Sequence, residues 1–242
     1  MYGERDYAIG SARAGAWSDS AAQQTFITKV YGWMAFGLII TAIIAIFVGL
    51  DPTRFNEIFR GHRGLLLVLV FAQFGIAMGL SWCMNYLNAV VATLLFVLYA
   101  AITGLFFSVY FMVYTQASLG ATFFVTAGTF GAMSVYGMVT KRDLTSLGGF
   151  LFMGLLGLCI ASIVNYFFAS SMLYWITTYA GVLIFVLFTA YDTQKMKYMY
   201  LAGPDGSPAA QKAAIFAAFQ LYLDFVILFQ YLLRILGNRR SN

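Results

Sequence analysis

Charge is scarce in this chain. Asp, Glu, Lys and Arg together supply 10% of its 242 residues, against roughly 25% in an ordinary soluble domain. Histidine occurs once, cysteine twice and proline three times. A single histidine, His62, excludes an HExxH helix or a two-histidine metal site, and leaves no Ser-His-Asp set able to converge in a membrane. It lies between Arg60 and Arg63 and reads as a solvated loop residue. No glycine-rich phosphate loop stands between a strand and a helix. Cys83 and Cys159 spell neither a CxxC pair nor a disulfide framework, and are expected as buried thiols. In place of charge the chain is 62% hydrophobic, with a mean hydropathy of +0.82. A soluble globule of this length cannot hide that much apolar surface. A soluble enzyme, a disordered chain and a nucleic-acid binder are all excluded. Unbroken apolar runs also exclude a membrane β-barrel, whose strands alternate.

Those runs predict an all-α integral membrane protein whose first partner is the lipid bilayer. Seven lie at 30–50, 64–82, 89–109, 119–139, 147–168, 172–191 and 213–236. Each meets the ~20 residues needed to cross ~30 Å of hydrocarbon. The first six hold no charged residue, and the seventh holds Asp224 and Arg234. Trp33, Trp82 and Trp175 fall near span ends, where indole prefers the headgroup level. Short connections leave no room for a soluble domain. The longest, 192–212, carries the helix-breaking Gly203-Pro204-Asp205-Gly206-Ser207-Pro208. The expected organisation is a polar N-terminal tail, 1–29, without a cleavable signal, followed by a seven-helix membrane domain, 30–240. With the N-terminus in the cytoplasm, that side holds 8 Lys and Arg and the other side 6, a margin that favours this orientation. Small residues four apart, Ala127 with Gly131, Gly128 with Ala132 and Gly157 with Ala161, are candidates for close helix contacts.

Two acids stand out. Asp224 sits near the middle of the last span, where an isolated ionisable group costs several kcal/mol, so it is expected to face protein. Asp192 closes the sixth span, in a helix that nothing breaks before Gly203, with Lys195 and Lys197 able to snorkel outward. Consecutive antiparallel spans could bring these acids together as a pair sharing one proton. Such a pair responds to pH and offers the hard oxygen ligands that suit Ca²⁺. A structural role, a polar plug bonded to a tyrosine or threonine, is the alternative for Asp224, and an interfacial helix end for Asp192. Gln73, Asn165, Gln220 and Gln230 read as interhelical hydrogen bonds. Thr122, Thr126, Thr129 and Ser134 share a span face that either lines a polar path or bonds its own backbone.

From Val30 to Arg240 the sequence resembles the Bax inhibitor-1-like family, also called the transmembrane Bax inhibitor motif family, in its bacterial branch. The resemblance rests on Val30-Tyr31-Gly32-Trp33-Met34, Lys141-Arg142-Asp143-Leu144, Asn165, Tyr191-Asp192-Thr193-Gln194 and Leu221-Tyr222-Leu223-Asp224-Phe225. It implies a seven-helix bundle with the last helix central, and a location in the bacterial cytoplasmic (inner) membrane. It also implies a pH-sensitive Ca²⁺ leak in which Asp192 and Asp224 match the family's paired aspartates. Some relatives place an arginine just after the second span to latch the closed state. Here Ser81-Trp82-Cys83-Met84-Asn85-Tyr86-Leu87-Asn88 holds no basic residue, which puts such a latch in doubt.

Three functions compete on this footing. The favoured one is a non-enzymatic, proton-gated cation leak, with Asp192 and Asp224 as ion and proton site and no cofactor beyond Ca²⁺ itself. An interaction role, modulating a membrane-bound AAA protease that grips the tail through Glu4, Arg5, Asp6 and Asp19, is the second. An intramembrane aspartyl protease is the third and remote reading. It would use Tyr191-Asp192 and Asp224, yet Leu221-Tyr222-Leu223 stands where such enzymes carry Gly-x-Gly, and their Pro-Ala-Leu signature is absent.

Overall fold

The computed structural model describes residues 3–60, 64–82, 86–200 and 207–240, with side chains described for all of these but 3–20, 60 and 66. Eight helices appear among them: α1 (Gly3–Gly49), α2 (Pro52–Arg60), α3 (Leu65–Trp82), α4 (Ala89–Val113), α5 (Gln116–Val139), α6 (Leu147–Phe168), α7 (Ser171–Met199) and α8 (Pro208–Leu236). Each of the seven apolar runs coincides with a helix. Six are long and apolar enough to cross a membrane, whereas the apolar stretch of α3, Leu67–Trp82, is shorter. The protein is therefore a multi-pass, all-helical membrane protein. Two features were not expected. The polar segment ahead of residue 30 is helical from Gly3 and continuous with the first apolar run, and α2 is a short amphipathic helix capped by Asp51, whose carboxylate accepts from Thr53 N at 2.9 Å.

Lipid tails are as apolar as leucine, so helices associate here through close backbone approach and buried hydrogen bonds rather than by hiding apolar surface from water. The α1–α4 contact illustrates this. A methyl at Gly104 would fall 2.8 Å from the carbonyl of Thr41, and one at Gly49 would fall 2.9 Å from that of Ser108. Gly37 instead makes room for the ring of Phe96. Contacts 37 to 96, 41 to 104 and 49 to 108 rise together along both helices, so α1 and α4 run parallel.

Burial is unequal. Two-thirds (67%) of the apolar window of α8 is buried, against 33% in α1, α4 and α5 and 11% in α6. The α8 helix packs against α1, α4, α5 and α7, while α3 packs on α4 and α6 on α7. Tyr222 of α8 is fully buried among Phe96, Tyr99 and Thr41. Thr41 gives its one proton to the carbonyl of Ala100 at 2.9 Å, so the Tyr222 hydroxyl donates to Thr41 at 2.6 Å. Of the small residues picked out by spacing, Gly128, Gly131 and Gly157 face open space, whereas Ala127 packs against the core. Cys159 is exposed rather than buried, because α6 turns most of its surface to lipid. Cys83, His62 and residues 203–206 lie outside the described residues.

Candidate functional site

The α7 helix runs on past the apolar run to Met199, which carries Asp192-Thr193-Gln194 inside the bundle. These three consecutive side chains, about 100° apart around the helix, each reach a different neighbour. Asp192 faces α8. Thr193 approaches Ser134 of α5, oxygen to oxygen at a long 3.4 Å. Gln194 spans the 140–146 connection, its Oε1 accepting from Leu144 N and its Nε2 donating to the carbonyl of Arg142, both at 2.8 Å. The α5 and α7 backbones touch just beside the site. A methyl at Gly137 would collide with the carbonyl of Ala190, so only glycine lets α5 close on this turn of α7.

On α8, Asp224 is 4% exposed and Asp192 is 9% exposed. The two carboxyls lie within hydrogen-bonding reach of each other. The Oδ2 atom of Asp224 is sealed from the surface and has no hydrogen-bond partner among the described residues. Lys195, three residues from Asp192 on the same helix, is the cation whose charge acts on Asp192. Further along, Lys197 donates to the carbonyl of Met138 at 2.6 Å, and its own carbonyl accepts from Gln23 Nε2 at 2.9 Å. The two lysines read from sequence as outward anchors therefore have different tasks, one electrostatic and one joining α1, α5 and α7. Among the described residues no group of three or more His, Cys, Asp and Glu converges.

The family of a chain with this geometry can be tested directly. Residues 23–241 match the family model described as inhibitor of apoptosis-promoting Bax1. This chain is a Bax inhibitor-1 family protein. Its relatives include the inner membrane protein YbhL of Escherichia coli, 47% identical over 92% of this chain and 97% of that one. An uncharacterized protein of Rickettsia prowazekii is 44% identical over 89% of this chain and 90% of its own length. An uncharacterized membrane protein of Streptococcus pyogenes is 33% identical over 88% and 92%.

The motifs that carry the Bax inhibitor-1 resemblance have local structural reasons here. Lys141-Arg142-Asp143-Leu144 is the connection that Gln194 holds. Asp143 closes its turn by accepting from the amide and hydroxyl of Thr145 at 2.9 and 2.6 Å. Those bonds hold its exposed carboxyl below the usual carboxylate range. Tyr191 turns away from the acids, its hydroxyl against Gly148 of α6. Gln73 makes the expected interhelical bond, donating to Thr103 at 2.8 Å. Asn165 does not: its Oδ1 is buried without a partner. Thr122, Thr126 and Ser134 face inward, and Thr129 is only half-buried. Spacing alone gave no hint of the Gln194 tie or of Tyr222 on Thr41. Lys195, at helical spacing from Asp192, could have been read as its neighbour.

Proposed function

We propose that this protein is a pH-sensitive cation leak pathway of the bacterial inner membrane, with Ca²⁺ as cargo and Asp192 and Asp224 as its ion and proton site. The observation that carries the reading is the juxtaposition of two carboxyls from different membrane-embedded helices, one with an oxygen left unpartnered. Two unit charges ~4 Å apart repel by about 4 kcal/mol at an effective dielectric of ~20. The pair is therefore stable with one shared proton, or with a cation in place of that proton. Losing the proton leaves like charges that either capture a cation or push α8 from α7. That gives a two-state element with a named switch. Two carboxylates offer at most four oxygens, whereas Ca²⁺ takes six to eight. Water completes the shell, so the site suits an ion in transit better than one held tightly.

The same reading includes seven crossings with the last helix central. Support comes from the parallel run of α1 and α4: the chain must recross the membrane between Gly49 and Ala89. At ~1.5 Å per residue the 18 residues of α3 reach about 27 Å. The extensive burial of α8 supports its central place. The N-terminus is then cytoplasmic, and Asp192 opens toward that side. With no arginine after the second span, Lys195 is the cation positioned to hold the closed state. The protein is not an enzyme in this reading, because bulky Leu221 and Tyr222 are fully buried beside Asp224 where a peptide bond would have to enter.

Ca²⁺ flux in proteoliposomes between about pH 6 and pH 8 tests it, with wild type, Asp192→Asn and Asp224→Asn. The wild type should leak in a pH-dependent manner, and either substitution should abolish that dependence. Liposomes that stay tight at every pH would sink the reading. Modulation of a membrane-bound AAA protease would then lead, favoured by the helical, polar N-terminal part of α1 that Gln23 ties to α7. Deleting residues 1–20 separates the two, since a leak loses little and a modulator loses its regulation.

A further inference from the structure

A second feature of the molecule lies on the other side of α8 and does not depend on the acid pair. The α1 and α5 helices both pack extensively on α8 but not on each other, and a groove of about 450 Å³ lies between them, floored by α8 and backed by α4. Its walls are Ala42 of α1, Phe111 of α4, Gly120 and Phe123 of α5, and Phe225 and Phe229 of α8. Thr41, Gln116 and the hydroxyl of Tyr110 are the polar groups of a lining that is otherwise apolar, and the Thr41 hydroxyl is already committed to Ala100 and Tyr222. The groove starts at helix ends, Leu50 of α1 and Gln116 of α5, and runs inward to Phe225. It is thus elongated along the helix axes, over the stretch of α1 from Leu38 onward.

The same end of the bundle carries arginine, on α2 and on the segment after α8. Arg54 on α2 is braced by Asp51 at 3.2 Å, by the carbonyl of Phe47 and by the Phe47 ring. Arg239 and Arg240 belong to a C-terminal segment pinned to the α4–α5 turn. Arg239 pairs with Tyr114 in an antiparallel bridge, Arg240 N donates to Val113 O at 2.9 Å and Thr115 N donates to Asn238 O at 3.1 Å. Both of their side chains are exposed. Asp51 and Glu57 are the described acids of this end, and Asp51 is engaged by Arg54. An arginine fork matches a phosphodiester in a way that a lysine ammonium does not. An apolar slot at an end of the bundle that carries arginines has the polarity of an anionic phospholipid, lying with its tail in the membrane and its phosphate at the surface.

We propose that the α1–α5 groove is a binding site for one acyl chain of an anionic phospholipid, with Arg54, Arg239 and Arg240 receiving its phosphate. The chain would brace α8 through Phe225, next to Asp224 in sequence but on another face of the helix, and through Phe229.

Native mass spectrometry of the full-length protein, released from detergent with phosphatidylglycerol or phosphatidylcholine, tests the assignment. One phosphatidylglycerol should remain bound at concentrations where phosphatidylcholine is lost, a preference of roughly tenfold. Gly120→Leu should remove the adduct, because a side chain there meets open space at the groove wall. Ala42→Leu, from the α1 side, should do the same and guards against misfolding of the first variant. Arg239→Ala with Arg240→Ala should erase the preference for phosphatidylglycerol while leaving chain binding. Equal retention of the two lipids, or retention unchanged by both groove-filling variants, overturns the proposal. So does a dimer whose formation Gly120→Leu abolishes, since a second copy would then occupy the groove.

Discussion

At the scale of single residues, the absence of a side chain matters as much as its presence. Gly137 allows α5 to touch α7 one turn from Asp192, where a methyl would strike the Ala190 carbonyl. Backbone cannot yield as a flexible side chain can, so Gly137→Ala should destabilise the protein by about 1–3 kcal/mol, the usual cost of overpacking. Gly128→Ala, on the same helix but facing open space, should be neutral or slightly stabilising through helix propensity. Thermal unfolding in detergent distinguishes the two, and equal effects would show that the α5–α7 approach is not tight. Sequence spacing pointed to Gly128 and not to Gly137. In a membrane helix both the lipid face and the protein face are apolar, so periodicity cannot say which small residue meets a neighbour. Asp192 and Asp224 were legible for the opposite reason: an acid within or beside an unbroken apolar run is an anomaly that only the protein interior can resolve.

At the scale of elements, the connections owe their shape to a few polar side chains. Gln194 makes two hydrogen bonds to the 140–146 turn, to Leu144 N and Arg142 O. Gln194→Leu keeps the volume and removes both, so it should cost about 1–3 kcal/mol, with one amide and one carbonyl left unsatisfied. Hydrogen exchange should rise at the Leu144 amide while the amides of α8 stay protected. Uniform exchange across both would mean that Gln194 supports the whole bundle and not the turn. The apolar runs and their helices could be read in advance because hydrocarbon thickness sets a minimum length. The α2 helix could not, since nine residues carrying Arg54, Glu57 and Arg60 look like an ordinary polar connection. Nor could the helical state of residues 3–29, whose composition says only that they avoid lipid.

At the scale of the whole molecule, the parallel run of α1 and α4 makes a prediction about sidedness. The seven crossings proposed above would put the two chain ends on opposite faces of the membrane. A reporter fused after residue 242 should be active on the outer face, and one fused before residue 1 in the cytoplasm; both on one face would mean that α3 turns back without crossing. The same architecture has a consequence for biosynthesis. The helix with the largest buried share, α8, follows every helix it packs against in the chain, so it emerges from the ribosome last among them. Until it enters, Thr41 lacks the hydroxyl of Tyr222, Phe185 and Leu158 lack Leu228, and Asp192 lacks its partner acid. The earlier helices must wait in the bilayer with the faces that receive α8 unfilled. A chain cut short before Asp224 would still be inserted, yet it would have nothing to close around and would present itself to membrane quality control as an orphan.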